Sequence, residues 1–478
     1  MSISRGSRRW IGVVTATMVV CLVGIVGATP AGAAKRYEVK VITPPGGFEG
    51  FATGVNDAGQ ATIVADQGGT FTHPFAYSRG AWTSIGPLLS CPDPDVPGTS
   101  CPESTAAGVN GSGQVVGTAG NFHITHAYRL DLETGAVDAL PTLGGDSSWG
   151  YGINQSGQIV GAALNGAGKR RAFLWNGTTM RGLGTLGGPT SAAFATAAAG
   201  QAVGCADTAA GPSHPFWFRG GSMHDLGVPA GWSDGCASTI NGGGLIGGTS
   251  TLSSSSTLQC IGWLRSYAGF AMLPVPTGAD CVEVRHLNDQ GQAVGTYTKS
   301  GRFRGFGFVY DDGVLRTLDR RIPFDRGTRI VDANGNASSG VIAGEALDEH
   351  GTSAVLLRPI RIFDETNHAI SYAGSWSSVA DADAFHGHLA SSSDPNGTAT
   401  FTFTGRGVSI IGPTGPGLGA ATVFLDGDIH VVSEQRAAVQ QRARIFKQRF
   451  SHVGTHTITI DLHGDAPFQL DAITVSEA

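Results

Sequence analysis

Three acids, Asp146, Asp234 and Asp280, fall in segments that also carry Trp149, Tyr151 and Trp232. Aromatic faces stack on the C–H faces of sugars, and carboxylates accept hydrogen bonds from hydroxyls, so the six together suit a sugar or peptide ligand. Paired acids about 5–10 Å apart would add glycosidic cleavage to that list. A second group lies near the C-terminal end. Tyr372, Trp376 and Phe385 offer stacking faces, and Asp381, Asp383, His386 and His388 supply hydrogen-bonding groups among them.

Other chemistries find less support. Gly242–Gly247 matches G-x-G-x-x-G but lies between two expected strands, whereas a dinucleotide site needs a helix after the glycines. The Asn-Asp-x-Gly turns at Asn56 and Asn288 hold too few carboxylates for a calcium cage and read as structural turns. There is no Cys-x-x-Cys and no Cys/His cluster, so no metal and no cofactor is expected. His73, His126 and His214 recur at equivalent places on separate repeats, a pattern that suits a repeated stabilising hydrogen bond. Trp175, Trp217 and Trp263 recur in the same way and read as core.

These residues sit in a chain of 478 with 14% charged and 41% hydrophobic residues, 73 Gly and 22 Pro. Such a composition excludes a disordered tail and favours many short strands joined by tight turns. Arg5, Arg8 and Arg9, the apolar run Ile11–Ala28 and Ala31-Gly32-Ala33 read as an export signal over residues 1–33. Its removal takes the net charge from −6 to about −9, which argues against nucleic-acid partners. The expectation is an exported, monomeric protein with no membrane contact after cleavage.

Outside the cytoplasm, the six cysteines beyond the signal read as disulfides, with 15 possible connectivities. Their positions on the repeats described next favour Cys91–Cys101, Cys205–Cys236 and Cys260–Cys281.

A pattern of the form G-V/I-N-x-x-G-Q-x-V-G recurs along residues 54–344, with turn glycines Gly59, Gly113, Gly157, Gly200, Gly244, Gly291 and Gly340. Each period holds four short strands, the grammar of a propeller blade. The seventh period lacks a fourth strand before Pro359, and the segment Tyr37–Ile42 is an orphan strand. Together they predict a seven-bladed β-propeller over 34–358, latched by its own beginning. The Asn turns share one face. The irregular loops 86–105, 144–150, 228–238 and 276–283 share the other, where the first six residues named above would meet a ligand.

The motifs His126-Ala127-Tyr128, Arg171-Ala172-Phe173-Leu174-Trp175 and Leu183-Gly184-Thr185-Leu186-Gly187-Gly188, with the Asn turns, resemble the HAF-repeat family of extracellular bacterial proteins. That resemblance implies location and no activity. Residues 360–478 drop the repeat, and Tyr372-Ala373-Gly374-Ser375-Trp376, Leu425-Asp426-Gly427 and Leu470-Asp471-Ala472 look like a jelly-roll β-sandwich of the carbohydrate-binding-like kind. The charged run 436–449 stands where such modules often place aromatic residues. The resulting expectation is an all-β chain that binds polysaccharide or cell-surface glycan without catalysis. The alternative is a propeller-type polysaccharide hydrolase or lyase.

Overall fold

The computed structural model describes residues 35–47, 49–66, 72–86, 103–120, 124–252, 259–302, 304–325 and 327–477. The structure is all-β. Among the described residues, the first part of the chain pairs into seven four-stranded antiparallel units, at 49–84, 103–139, 144–184, 187–225, 234–272 and 281–317, with the seventh built from 329–364 and 36–42.

Unit three shows how the repeat sequence makes a unit. Its inner strand Gly144–Ile153 ends at Asn154, whose Oδ1 accepts from Ser156 N at 3.0 Å and Gln158 N at 2.9 Å. Gly157 then takes φ +74°, a left-handed conformation that favours glycine, and Gly157 N donates to Asn154 O. The chain reverses into Ile159–Asn165. Units pack on their neighbours: Ile159, Ala163, Phe173 and Trp175 bury with Val116 and Ala127 of unit two and with Leu140 just after it. Trp217 and Trp263 are likewise core. His214 Nδ1 lies 2.9 Å from Asp225 on the neighbouring strand of its own unit, whereas His73 Nδ1 is buried with no hydrogen-bond partner among the described residues.

The N-terminal strand completes the seventh unit. Arg36–Ile42 pairs antiparallel with the third strand of unit seven, from Arg36 opposite Ile360 to Ile42 opposite Ala354. Units seven and one then meet through Asn334 Nδ2, which donates to Ala52 O at 3.0 Å, and Ser339 N, which donates to Asp57 Oδ1 at 2.8 Å. Ile42, Ala52, Val55 and Ile63 share a buried cluster with Val341, Ala343 and Leu356 across the same seam.

The strand Gly351–Asp364 does not stop at Pro359. Its last residues pair with Ala472–Ser476 of a β-sandwich. Two long strands, Thr398–Thr414 and Gln440–His463, pair along most of their length, with register slips at Gly405/Gly407, Ile410/Ile411 and Gly412/Thr414. Phe401, Phe403, Val423 and Ile460 pack with Val408, Ile410, Ile473 and Val475 in one core. The charged run 436–449 faces the propeller. Arg444 lies 3.2 Å from Glu38, Lys447 also pairs with Glu38, and Arg442 Nη1 donates to Pro323 O. Burial alone would raise the Glu38 pKa; the Lys447 hydrogen bond and the Arg444 charge hold it below the usual value.

Candidate functional site: an axial channel and an aromatic patch

The inner strand of every unit carries a β-bulge at the same place. The residue left unpaired is Thr53, Ala107, Tyr151, Phe194, Ser238, Arg285 or Asn334 in units one to seven. A bulge re-aims the side chain it leaves out of the ladder. All seven residues line one cavity of about 200 Å³ on the axis. The final glycine of the repeat explains how the bulge is tolerated in units two to seven. A Cβ at Gly117, Gly161, Gly204, Gly248, Gly295 or Gly344 would run into a carbonyl of the adjacent inner strand.

A second axial cavity of about 330 Å³ adjoins the first and opens among the Asn turns. Its wall is already hydrogen-bonded. Asn56, Asn110, Asn154, Asn241 and Asn288 each donate from Nδ2 to a carbonyl of the next unit at 2.7–3.1 Å. Between the cavities, His286 Nδ1 lies 2.8 Å from Asn336 Oδ1, and burial lowers its pKa and favours the neutral ring. The turn end is therefore a structural belt, and the bulge end carries the chemically varied side chains.

In the bulge ring, Thr53 Oγ1 donates to Ala106 O at 2.7 Å, Ser238 Oγ to Val284 O at 2.6 Å, and Asn334 Nδ2 to Ala52 O. These three stitch one unit to the next. Tyr151 and Phe194 instead pair with each other, ring centroids 5.5 Å apart. Arg285 pairs with Glu283 at 2.9 Å and is 46% exposed.

Among the residues expected on the loop face, Tyr151 belongs to this channel wall. Trp149 is half-buried on the same strand and Asp146 is exposed. Trp232 is half-buried in a turn, with its N–H on Pro229 O. Asp234 Oδ1 accepts from Ser213 N of unit four at 2.9 Å, tying units four and five. Asp280 accepts from Ser300 Oγ at 2.6 Å through its carboxylate and from Cys260 N through its carbonyl. The carboxylates of Asp234 and Asp280 thus hold separate local contacts. Cys205–Cys236 and Cys260–Cys281 are disulfides that join units four to five and five to six. Cys91 and Cys101 lie outside the described residues. Glu283 stands beside Cys260 and Cys281, but oxidised sulfurs offer no thiolate to a metal.

In the sandwich, Tyr372 and Trp376 form a half-buried pair with centroids 5.0 Å apart, held by Tyr372 Oη donating to Glu365 O and Trp376 Nε1 donating to Ala373 O. Phe385 corrects the expectation of an open stacking face. It is 9% exposed, with the Phe324 ring 5.8 Å away on the propeller side and the His386 ring 4.1 Å away. His386 has φ +66° and meets Asp364 at 2.7 Å, and His388 is exposed. Behind them, burial raises the carboxyls of Glu365 and Asp471, the latter to about 7.

Sequence reasoning named Tyr151 but missed the other six bulge positions, Phe194 and Arg285 among them. The signal was present as a variable residue inside an otherwise repeated motif, one position after the residue that pairs with a glycine in six of the seven units.

No family model matches the chain. Over 193 residues the chain is 28% identical to a curated protein from Flavonifractor plautii named A type blood alpha-D-galactosamine galactosaminidase, covering 36% of this chain and 17% of that protein. The match therefore spans only about a sixth of that relative. Among solved structures, an exo-beta-1,3-galactanase from Phanerochaete chrysosporium shows 10% identity and a TM-score of 0.29, covering 92% of this chain and 99% of that one. A mutant of AofleA from Arthrobotrys oligospora shows 10% identity and a TM-score of 0.35, with 60% and 91% covered. The fold described above rests on its own strand pairing. No helix among the described residues is long and apolar enough to cross a membrane.

Proposed function

We propose that this is an exported, non-catalytic glycan-binding protein, with the propeller as a rigid platform and the sandwich as a second contact. The observation that carries the reading is the sequence likeness, over 36% of this chain, to a protein named as an A type blood alpha-D-galactosamine galactosaminidase. Two disulfides agree with export, as does the resemblance to HAF-repeat proteins. Binding without cleavage is favoured because Asp234 and Asp280 are held in separate structural hydrogen bonds. The half-buried Tyr372–Trp376 pair gives the sandwich an aromatic edge for a sugar ring.

The test is incubation of the full chain with a panel of plant, microbial and animal polysaccharides, scoring retention and new reducing ends separately. Retention without new ends is the expected result. New reducing ends would replace binding by hydrolysis, and a panel with neither would remove the glycan reading.

A further inference from the structure

We propose that the bulge ring on the propeller axis is a binding site for one neutral pyranose at the end of a glycan, entered end-on from the loop face. The proposal rests on the glycan reading above but adds a location and a ligand class that the reading does not contain.

The backbone supplies the first argument. The same bulge is repeated seven times, so the scaffold presents seven equivalent positions with nearly constant geometry. A purely structural position in a repeat would keep one residue type, as the turn asparagines largely do. These positions do not. Three of them, Thr53, Ser238 and Asn334, are committed to the neighbouring unit by hydrogen bonds, and Ala107 brings no polar group. Tyr151, Phe194 and Arg285 make up the remainder, and all three border the same 200 Å³ cavity.

Their chemistry supplies the second. Tyr151 and Phe194 stand together as a tilted pair and offer apolar ring surface on one side. Sugar C–H faces stack on such surfaces. Among the described residues, Arg285 is the one charged side chain in the wall of this cavity, and its charge is met by Glu283 at 2.9 Å. Glu283 itself lies outside the cavity lining, so the guanidinium offers N–H donors to the cavity while the neighbouring carboxylate offsets its charge. Donors of offset charge suit adjacent hydroxyls, and the offset weakens the pull that a lone arginine would exert on a carboxylate.

Shape supplies the third. The wall closes around the axis on all seven sides, and beyond the ring the channel meets His286 and the hydrogen-bonded Asn turns. A polysaccharide cannot lie across such a shaft as it lies in an open groove. One terminal ring fits the volume.

The experiment uses the full chain and calorimetric titration with neutral oligosaccharides ending in galactose, N-acetylgalactosamine, glucose or mannose. Each is compared with the same chain ending in the corresponding uronic acid. Variants are Phe194→Ala, Arg285→Gln and Trp376→Ala, with thermal unfolding as the control; Arg285→Gln alters a half-exposed side chain and keeps the test open if Phe194→Ala fails to fold. The expected result is binding of at least one neutral oligosaccharide, lost at least tenfold in Arg285→Gln or Phe194→Ala, unaffected by capping the reducing end, and weaker for the uronate. Full affinity in folded Phe194→Ala and Arg285→Gln, with loss in Trp376→Ala, would overturn the axial site while leaving glycan binding in the sandwich. Tighter binding of the uronates would overturn the ligand class. Binding to none would remove the glycan reading itself.

Discussion

The side-chain amide of Asn56 donates to the carbonyl of Asn110, 2.7 Å away and one unit further round the ring. Asn110 does the same to Asn154, so a turn residue also acts as a clasp between units. At the same time Asn110 Oδ1 accepts from Ser112 N and Gln114 N within its own turn. Asn110 is 2% exposed. Asn110→Ala should remove these bonds together and leave Asn154 O buried without this donor, costing about 1–3 kcal/mol. Chemical denaturation measures this directly, and a loss under about 0.5 kcal/mol would show that the clasp is ornamental.

Tyr37 separates the packing of the latch from its polarity. Its side chain is fully buried among Val294, Leu318 and Ile330, yet its hydroxyl has no hydrogen-bond partner among the described residues. Tyr37→Phe should leave stability equal or slightly higher, while Tyr37→Ala should cost about 3–5 kcal/mol. Deleting residues 35–43 should abolish cooperative melting altogether. Unchanged melting of the deletion would contradict closure by this strand.

The two disulfides close segments of 31 and 21 residues. Replacing either pair by alanines should lower stability by about 3 kcal/mol in the loop-entropy account. The two losses should add, because the pairs close different seams, one on either side of unit five. Peptide mapping under non-reducing conditions checks the pairing before the stability comparison is made.

Glu434 sets a pH dependence. It is fully buried, Gln469 N donates to its Oε2, and its Oε1 has no partner among the described residues. Burial pushes its pKa from 4.5 up to about 9. The folded chain thus keeps a proton that the unfolded chain releases above about 4.5. Stability is therefore fully present below that pH and declines as pH rises towards 9, by on the order of 1–3 kcal/mol at pH 7. Glu434→Gln, neutral and of similar size, should flatten this slope between pH 5 and 9. Equal slopes in urea titrations of the two proteins would refute the assignment.

The repeat was legible because its signals are local. A turn needing positive φ selects glycine, and Gly59, Gly113, Gly157, Gly200, Gly244, Gly291 and Gly340 all have it. The cysteine positions were legible for the same reason, since a repeat fixes which strands face each other. The channel was not, although Tyr151 was named from its own segment. Arg285 and Phe194 share no chemical type, and only strand pairing shows that both are bulge residues. Phe385 reads as an accessible aromatic in its own segment, and what buries it, Phe324, is 61 residues away on the propeller side. The charged run around Arg444 reads as solvated until Glu38, at the other end of the chain, is found opposite it.

The strand Gly351–Asp364 has a mechanical consequence. Residues 354–360 hold the N-terminal strand through seven residue pairs, and residues 360–364 hold the sandwich. Tension applied through a tethered sandwich runs along this strand into the closing pair of the ring. An antiparallel pair pulled along its own direction is loaded in shear, so its bonds resist as a group and do not open one after another. The seam that shuts the ring would carry part of any such pull.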